Sequence, residues 1–291
     1  MPELPEVETV KRGLGQFLPG KQIAAVNFDW PKNFPNAKSD IEQFLIGASI
    51  IDVRRRAKVL LIDLDTEHTL VTHLKMTGQM VYRGSGETFG AGHPNDSLVG
   101  QLPDKSTRVT LSFNDGSQLF FNDFRKFGWM KLYPTVEVEN IDFFQKVGPE
   151  PLAADFTQVQ FYERFMKRPN TNIKAALLDQ TVIAGVGNIY ADESLWGAKI
   201  HPSTLVKNLS QAKFNKLYEE LRYVLNLAIE KGGSTDRNYV NAEGKKGSYL
   251  SFARVFRREG LACPRCGTII VKTRVAGRGT HLCPHCQKLT K

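Results

Sequence analysis

Four cysteines near the end of the sequence have the spacing of a metal site. Cys263 and Cys266 form one close pair and Cys283 and Cys286 form a second, in the pattern C-x2-C-x16-C-x2-C. Two such knuckles each offer two thiolates to one tetrahedral ion, and four protein ligands leave no open coordination position. A thioredoxin-like redox motif, which lacks its βαβ context here, and two adjacent disulfides are the alternatives. The pattern predicts one structural Zn2+ per chain and no organic cofactor.

The segment between the two cysteine pairs is basic. It carries Lys272, Arg274 and Arg278 within a stretch that the ion would fold into a hairpin. Such a hairpin suits contact with the phosphates of DNA, because cationic side chains that neutralise phosphates release condensed counterions. By charge alone, a solvated basic loop fits equally well.

The N-terminal stretch MPELPEVET places a proline directly after the initiator methionine. Pro2 suits the first position of a helix, and Glu3, Glu6 and Glu8 suit the positive end of its dipole, so the stretch predicts a helix start. Removal of Met1 would also expose a secondary amine beside the Glu3 carboxylate. These two groups form a candidate active site.

A glycine-rich turn, Gly185-Val-Gly-Asn188, precedes a helical pattern. Such a turn lets backbone N–H groups and the Asn188 side chain approach a phosphate at a helix N-terminus. Gly-Asn turns before helices are common, so the turn alone also fits a purely structural role.

The elements that must position these residues fall into a β-rich half and a helical half. After the amphipathic stretch 3–18, patterns typical of strands cover residues 23–28, 49–64, 69–76, 108–113 and 118–121. Asn114-Asp115-Gly116 predicts a hairpin, and the Gly-, Pro- and Ser-rich segment 83–105 predicts a long exposed loop. Apolar residues at helical spacing between a Ser210 N-cap and Gly232 predict a long helix.

Composition narrows the class of protein. The chain has 291 residues, 41% of them hydrophobic, and a formal net charge of +9, which favours a polyanionic partner such as nucleic acid. No apolar run approaches the roughly 18 residues of a membrane span, and the N-terminus lacks the pattern of a signal peptide. We therefore expect no membrane partner and a cytoplasmic location. The absence of internal repeats argues against a solenoid.

Several motifs occur together and in a fixed order. They are PELPEVET, RRRAKVLL, HLKMTG, DFRKFG, GPEPL, AGVGNIYADE with IHP following, and the four cysteines. In this combination the chain resembles, over essentially its whole length, the bacterial formamidopyrimidine-DNA glycosylases. These are bifunctional base-excision-repair enzymes that remove oxidised purines such as 8-oxoguanine.

The resemblance implies an α+β multidomain fold. An N-terminal β-sandwich with a leading helix is expected over 1–134 and a linker over 135–152. A helix-two-turn-helix domain is expected over 153–250 and the zinc ribbon over 251–291, with DNA in the cleft between the halves. The implied partner is double-stranded DNA that contains oxidised bases or abasic sites, bound by a monomer associated with the nucleoid.

The resemblance also implies four catalytic residues. Pro2 matches the nucleophile, and an α-amino group titrates near pH 8, so a useful fraction is neutral at physiological pH. Glu3 matches the proton donor. Lys58 matches a lysine of β-elimination, although three neighbouring arginines also fit a solvated strand edge. Arg278 matches the zinc-finger arginine of δ-elimination, and its bidentate fork suits phosphates.

Three further matches concern the hole that a flipped nucleotide leaves in the duplex. The family fills it with side chains that correspond to Met76, Arg125 and Phe127, and the arginine faces the orphaned cytosine. By pattern alone, Met76 and Phe127 would be assigned to the protein core.

The remaining matches concern phosphates and a loop. Asn188 should contact a phosphate from the helix-two-turn-helix motif. Arg168 is a candidate DNA contact, in a basic stretch that Pro169 interrupts. Lys245 falls where the family has a flexible loop that closes over the flipped base, although so glycine-rich a segment also fits a linker.

The chain departs from the family pattern at several positions near the expected DNA surface. Lys75 replaces a usual glycine and Lys126 a frequent arginine. Ser106 stands where a phosphate-binding histidine is usual, so Arg108 or Lys105 is expected to substitute for it. None of these positions is catalytic.

Two rival functions share part of this pattern. An endonuclease VIII-like enzyme would use the same nucleophile but prefer oxidised pyrimidines, and its N-terminus typically differs from PELPEVET. A non-catalytic zinc-ribbon DNA-binding protein would have no need of a processable N-terminal proline beside a glutamate.

Overall fold

The chain folds into two units, and its computed structural model describes residues 2–93, 95–234 and 249–290. One unit comprises Met1–Gln145 with Lys231–Ser248. The other comprises Lys146–Glu230 with Tyr249–Lys291.

The first unit begins with helix α1, Leu4–Phe17, where the amphipathic stretch predicts it. Nine strands follow: β1 (Ile23–Phe28), β2 (Ile50–Arg56), β3 (Val59–Leu64), β4 (His68–His73), β5 (Gly78–Arg83), β6 (Thr88–Gly92), β7 (Thr107–Phe113), β8 (Gln118–Asp123) and β9 (Trp129–Pro134). Short helices are α2 (Lys38–Asp40), which runs into a π-helical turn at Ile41–Leu45, and α3 (Asp142–Lys146), with 3-10 turns at Asp96–Leu98 and Thr135–Asn140.

These strands form a sandwich of two antiparallel sheets. The larger sheet has the order β1-β7-β8-β5-β6 and the smaller has the order β2-β3-β4-β9. Helix α1 packs against β6 of one sheet and β2 of the other. Apolar side chains of α1 and of both sheets form one core, which includes Val10, Leu14, Ile23, Val53, Leu60, Leu70, Met80, Val109, Leu111 and Phe121. Burial of this shared core is the main stabilising term for the unit.

Two strand predictions need revision. The stretch 49–64 is two strands, because Ala57 takes a left-handed φ of 53° and the chain reverses there. The segment 83–105 was predicted as one long loop, and this is wrong. Strand β6 lies within it, pairs with β5, and buries Phe89 and Ala91 in the core. The strand was missed because only Phe89 and Ala91 alternate in it, with glycines between and after them, and so short a pattern does not predict a strand.

The second unit is helical with a β-hairpin. Its helices are α4 (Gln158–Met166), α5 (Ile173–Leu178), α6 (Asn188–Gly197) and α7 (Gln211–Glu230), with 3-10 turns at Val206–Asn208 and Tyr249–Phe252. Strands β10 (Val271–Val275) and β11 (Arg278–Leu282) form the hairpin. Helix α7 confirms the long helix predicted after Ser210, and the whole chain confirms the α+β class. No described helix combines the length and the apolar composition that a membrane crossing requires.

Candidate functional site

The start of α1 fixes the orientation of the predicted catalytic carboxylate. Glu3 is the N-cap, with an extended backbone, and its side chain accepts a hydrogen bond from the backbone of Glu6. In return, the Glu6 carboxylate accepts one from the Glu3 backbone N–H at 2.8 Å. This reciprocal capping box satisfies two helix-end donors. Pro2 and Glu3 are both buried, so the proposed nucleophile and acid lie at a rigid helix end rather than in a mobile tail.

Glu6 also holds a second segment of the same unit. Its Oε1 accepts a hydrogen bond from the Ser234 backbone N–H at 2.7 Å. Gly233 has a φ of 87°, and a Cβ there would lie 3.1 Å from the Glu6 side chain. The glycine therefore lets the chain pass close to the helix end that carries Glu3.

Lys58 lies in the two-residue turn between β2 and β3 and is 7% exposed. Its neighbour Arg55 donates to the Ala57 carbonyl and to the Glu8 carboxylate, each at 2.9 Å. Burial alone would raise the pKa of Glu8, but hydrogen bonds from Arg55 and Arg12 outweigh it and hold that pKa below its ordinary value. The Glu8–Arg55 pair thus fastens the turn that carries Lys58 to the helix that begins beside Pro2.

The turn of Lys58 lies next to the loop that follows β4, because Val59 pairs with His73 at the end of that strand. Burial, together with the charges of Lys75 and Lys58, lowers the pKa of His73 to about 3. The imidazole is therefore neutral at physiological pH. Its Nδ1 accepts a hydrogen bond from the Lys75 backbone N–H at 2.9 Å, just before Met76.

The three predicted void-filling side chains lie on two adjoining loops. Met76 follows β4 and is 40% exposed, while Arg125 and Phe127 follow β8, where Phe127 is 54% exposed. The Arg125 guanidinium lies over the Phe127 ring at 5.0 Å. The Arg125 backbone N–H donates to the Thr77 hydroxyl at 3.1 Å, which joins the loops. The alternative that Met76 and Phe127 are core residues is wrong, since both face solvent.

Two more aromatic residues on this surface escaped the sequence analysis. The Lys126 ammonium lies 4.7 Å from the centre of the Trp30 ring, and that of Lys105 lies 5.9 Å from the centre of the Phe124 ring. Phe124 is 61% exposed. Aromatic faces interleaved with cations are suited to nucleic acid. The DFRKFG motif contains Phe124, but the sequence alone does not predict that this side chain is exposed.

Arg108 is placed differently from the phosphate contact that we predicted. It is 3% exposed, and its guanidinium donates to the Ser106 carbonyl at 3.0 Å and the Asp123 carbonyl at 3.1 Å. It also donates to the Lys105 carbonyl and the Asp29 carboxylate. A guanidinium engaged in this way is poorly placed to bind DNA, so we assign Arg108 a structural role at the base of the loop after β8.

In the second unit, Asn188 opens α6 at the predicted glycine-rich turn. Gly185 has a φ of 77° and its N–H donates to the Gln180 side chain at 3.0 Å. Gln180 in turn donates to the Val186 carbonyl at 2.9 Å, so one amide holds both sides of the turn. The Asn188 amide donates to the Gly279 carbonyl at 3.0 Å. A phosphate at this helix end would meet the backbone N–H groups first.

The same contact brings Asn188 close to Arg278. Arg278 is the exposed first residue of β11, directly after the turn Ala276-Gly277, whose φ values are 49° and 75°. Two consecutive positive φ values are typical of a type I′ hairpin turn, which matches the twist of the paired strands. The turn therefore presents Arg278 at a fixed place on the hairpin.

A buried ion pair anchors the hairpin next to Arg278. Lys174 and Asp192 have fully buried side chains and lie 2.6 Å apart. The Lys174 ammonium also donates to the Gly279 carbonyl at 3.1 Å and the Thr280 hydroxyl at 2.7 Å. The helices α5 and α6 thus clamp the start of β11.

The remaining candidates are less informative. Arg168 is half-exposed and lies 3.2 Å from the Asp179 carboxylate. An exposed pair of this kind is weak and leaves the guanidinium accessible to a phosphate. Lys245 lies outside the described residues.

The four cysteines form a cluster that fits a metal. Their Sγ atoms all lie within 4.8 Å of one another, and the described residues contain no other such group. All four are free thiols, and the Cys266–Cys283 and Cys266–Cys286 Sγ distances are 3.5 Å, well beyond the roughly 2.05 Å of a disulfide. Four thiolates around a tetrahedral Zn2+ would lie about 3.8 Å apart from Zn–S bonds of about 2.3 Å, so the donor set fits zinc with a closed shell.

The first cysteine knuckle docks on α6. Arg265, between Cys263 and Cys266, lies 3.8 Å from the centre of the Trp196 ring and donates to the Trp196 carbonyl at 3.0 Å. It also donates to the Gly197 carbonyl at 3.3 Å. A cation at the carbonyl end of a helix is favoured by the helix dipole.

Comparison with known proteins gives one consistent answer along the chain. Residues 1–130 match the formamidopyrimidine-DNA glycosylase N-terminal domain, residues 147–239 match the H2TH domain of the same enzymes, and residues 260–289 match a zinc finger found in FPG and IleRS. A formamidopyrimidine-DNA glycosylase of Streptococcus pyogenes serotype M3 is 42% identical over 99% of this chain and 99% of its own length.

Two solved structures from Lactococcus lactis are similar over their whole length. One is an FPG mutant in complex with a Fapy-dG containing DNA, with a TM-score of 0.86 and 35% identity over 99% of this chain and 100% of that chain. The other is Fpg with an abasic site containing DNA, also with a TM-score of 0.86 and 35% identity, over 98% and 99%.

Proposed function

The chain belongs to the formamidopyrimidine-DNA glycosylase family and is a DNA glycosylase of base-excision repair, and from this premise we propose its substrates and mechanism. It removes oxidised purines, 8-oxoguanine and formamidopyrimidines, from duplex DNA and then cleaves the strand as an AP lyase. The partner is double-stranded DNA that carries such a base or an abasic site. The solved complexes of similar proteins with Fapy-dG and abasic DNA support this assignment.

One structural observation supports the proposal most directly. Met76, Arg125 and Phe127 are exposed on two loops that are distant in sequence but hydrogen-bonded in the fold. An exposed methionine and phenylalanine contribute nothing to the core. A base buried in a duplex must leave the stack before its sugar can react, and these side chains would occupy the hole that it leaves.

Pro2 then acts as the nucleophile, once Met1 has been removed. Its secondary amine attacks C1′ of the damaged nucleotide, the glycosidic bond breaks, and the base leaves with the bonding electrons. Opening of the sugar ring gives an iminium that carries a positive charge without an added proton. Glu3 supplies the proton that the departing base or the ring oxygen requires.

Elimination follows from the iminium. The cation acidifies the C2′ hydrogen, so loss of that proton expels the 3′ phosphate, and a second proton loss at C4′ expels the 5′ phosphate. Hydrolysis of the remaining iminium returns the Pro2 amine. Lys58 assists the first elimination and holds a phosphate beside the lesion, and Arg278 stabilises the phosphates of the second.

The second unit grips the DNA backbone. Arg278, Arg168 and the helix end at Asn188 bind phosphates. The four cysteines hold one Zn2+, which supplies only a fixed geometry for the hairpin, because its coordination shell is full. The capping role of Lys245 stays a prediction.

Borohydride trapping tests the enzymatic proposal. The purified chain, with Met1 removed, is incubated with duplexes that carry 8-oxoguanine opposite cytosine or an oxidised pyrimidine, and borohydride is added to reduce any iminium. We expect a covalent complex mainly on the 8-oxoguanine duplex. The same chain with a tag fused before Pro2 is the control, and it should bind abasic DNA without being trapped.

Two results would contradict the proposal. Capture mainly on the pyrimidine duplex would assign the chain to the endonuclease VIII-like activity. No covalent complex on either duplex would leave a DNA-binding protein without this chemistry.

A further inference from the structure

A buried carboxylate lies at the base of the loop that carries Arg125 and Phe127. Asp123 is the last residue of β8 and is fully buried. Its Oδ2 accepts a hydrogen bond from the Gly128 backbone N–H at 2.6 Å, and its Oδ1 accepts one from the Arg125 backbone N–H at 3.2 Å. One carboxylate therefore binds both ends of the loop after β8.

Thr77 extends this arrangement to the loop that carries Met76. Its hydroxyl donates to Asp123 Oδ1 and accepts from the Arg125 backbone N–H at 3.1 Å. Thr77 and Arg125 are 48 residues apart in the sequence, and Thr77 directly follows Met76. The hydroxyl is used as donor and as acceptor, so no hydrophobic residue of the same shape can replace it.

The two loops have backbones that require such support. Each contains a lysine in the left-handed region, Lys75 with a φ of 51° and Lys126 with a φ of 59°. A side chain with a Cβ is strained there and stays only where surrounding contacts hold it. Each loop also ends on a crowded glycine: a Cβ at Gly78 would lie 2.3 Å from the Leu74 carbonyl.

The base of the arrangement is itself fixed. The Asp123 carbonyl accepts from the buried Arg108 guanidinium at 3.1 Å, and the Asp123 N–H donates to the Ser106 carbonyl at 2.8 Å. These contacts give Arg108 a physical reason to be buried. They leave Asp123 little freedom to move relative to the sheet.

We propose that Thr77 and Asp123 are positioning residues, here called the loop latch, that hold Met76 in register with Arg125 and Phe127 so that the three enter the duplex as one wedge. The inference rests on the proposed function, since it concerns the same DNA. Asp123 is fully buried, and the Thr77 hydroxyl is engaged by Asp123 and by the Arg125 N–H, so both residues act through the loops. A wedge that is ordered before binding avoids the entropic cost of ordering each side chain on the DNA.

The latch therefore sets the preference for damaged over intact duplex. Intact DNA presents phosphates but no hole, so it is bound by charge and does not sense the register of the wedge. A duplex with an abasic site contains the hole, so a correctly placed wedge fills it and increases the affinity. Loss of the latch should weaken the second kind of binding and leave the first unchanged.

The test compares dissociation constants for two duplexes of equal length, one with a reduced abasic-site analogue and one intact. Thr77→Val removes the hydroxyl at nearly constant volume, and Asp123→Asn keeps one oxygen acceptor and places an NH2 group opposite either the Gly128 N–H or the Arg125 N–H. From the usual strength of a hydrogen bond, we expect the abasic preference to fall about fivefold in T77V and about 10- to 100-fold in D123N. Thr77→Ser keeps the hydroxyl and should restore the preference of the wild type.

A matched control is available in the neighbouring strand. Thr72 is fully buried in β4, and its hydroxyl has no hydrogen-bond partner among the described residues. Thr72→Val should therefore leave the abasic preference unchanged. The double variant T77V/D123N should lose less than the sum of the two single variants, because both changes break the Thr77–Asp123 contact.

Two results would overturn the latch: an unchanged preference in T77V and D123N, or an equal loss of affinity for both duplexes, which would indicate general damage to the fold. If D123N does not fold, the comparison of T77V with T77S still tests the latch, because only T77V should lose the abasic preference. Failure of the proposed chemistry is a separate outcome, because it appears as an absence of borohydride trapping in the wild type while the binding ratio still tests the latch.

Discussion

At the scale of single residues, Glu3 has two tasks that call for the same carboxylate. It caps α1 through the backbone of Glu6, and in the proposed mechanism it donates a proton at the breaking bond. The first task needs only an oxygen acceptor, whereas the second needs an acidic proton. A substitution that keeps the acceptor and removes the acid separates the two.

Glu3→Gln is such a substitution. The amide oxygen still accepts from the Glu6 N–H, so we expect unfolding to be nearly unchanged. Excision of 8-oxoguanine should fall by about 100-fold or more, the usual range for a lost general acid. Strand cleavage at a preformed abasic site should persist, because the base has already left.

Rates of excision and of abasic-site cleavage, measured on matched duplexes, check this prediction. Mass spectrometry must first show that Met1 is absent from both proteins. An equal loss of both activities would mean that Glu3 acts at a step common to both, by protonating the ring oxygen or by placing Pro2, and not on the departing base.

The sequence alone predicted which residues form the candidate site, but it did not predict the contacts that these residues make with distant parts of the chain. The cysteine spacing and the Pro2-Glu3 pair are local patterns, and the structure keeps each together. Arg108 could not be placed in this way, because its partner Asp29 is 79 residues away. The latch pair was visible in the motifs HLKMTG and DFRKFG, but only the fold shows that Thr77 meets Asp123.

At the scale of elements, α1 is fastened to the β2–β3 hairpin by the Glu8–Arg55 pair. The side chains are 13% and 11% exposed, so the pair is largely shielded from water. The pKa of Glu8 is lowered in the folded chain. The pair therefore contributes fully to stability above the ordinary carboxyl pKa, and that contribution is lost as the pH falls through the lowered folded pKa.

Glu8→Gln removes the charge of this pair, so the variant should be less stable than the wild type only where Glu8 is ionised. At pH 7 we expect the free energy of unfolding to fall by about 1–2 kcal/mol, the range of a charge-assisted hydrogen bond with partial solvent screening. The difference from the wild type should shrink toward zero as the pH drops below the ordinary carboxyl value of 4.5.

Urea unfolding across this pH range measures the effect. Glu42→Gln is the control, since Glu42 is 64% exposed and lies 3.6 Å from the exposed Lys38 ammonium. It should show little difference at any pH. A constant loss in E8Q from neutral to acid pH would show that the pair acts through packing and not through charge.

The periodicity of the apolar residues predicted most of the helices and strands. Helices α1 and α7 and strands β1 and β7 lie where alternation or helical spacing places them. The exceptions are positions where tertiary contacts decide the backbone. The turn at Ala57 has no glycine or asparagine to mark it, and β6 forms because β5 offers an edge and the core accepts Phe89.

At the scale of the whole molecule, the cysteine cluster organises the end of the chain. The first knuckle docks on α6 through Arg265, and the hairpin that follows is clamped by Lys174 and Asp192. The hairpin strands bury only two apolar side chains, Val275 of β10 and Leu282 of β11, and a small apolar cluster that includes Cys263 and Cys283 lies beside them. We therefore expect metal binding to supply much of the folding free energy of this segment.

Cys283→Ser should release the metal and unfold the hairpin. The loss of the Arg278 phosphate contact should then weaken binding to abasic DNA by about tenfold, which corresponds to about 1.4 kcal/mol. Metal analysis and binding assays measure the two effects. His285→Ala is the control, because His285 is exposed in the same knuckle and the four thiolates remain. Full DNA affinity without bound metal would contradict the prediction.

The left-handed lysines at positions 75 and 126 have a consequence for directed evolution. Glycine at either position would relieve backbone strain, so a screen that scores heat resistance alone would favour it. Each such change would remove a cation from the loops that carry the wedge. Since cations on this surface strengthen binding to any duplex, selection for heat resistance and selection for DNA affinity act in opposite directions at these two codons, and a useful screen must apply both.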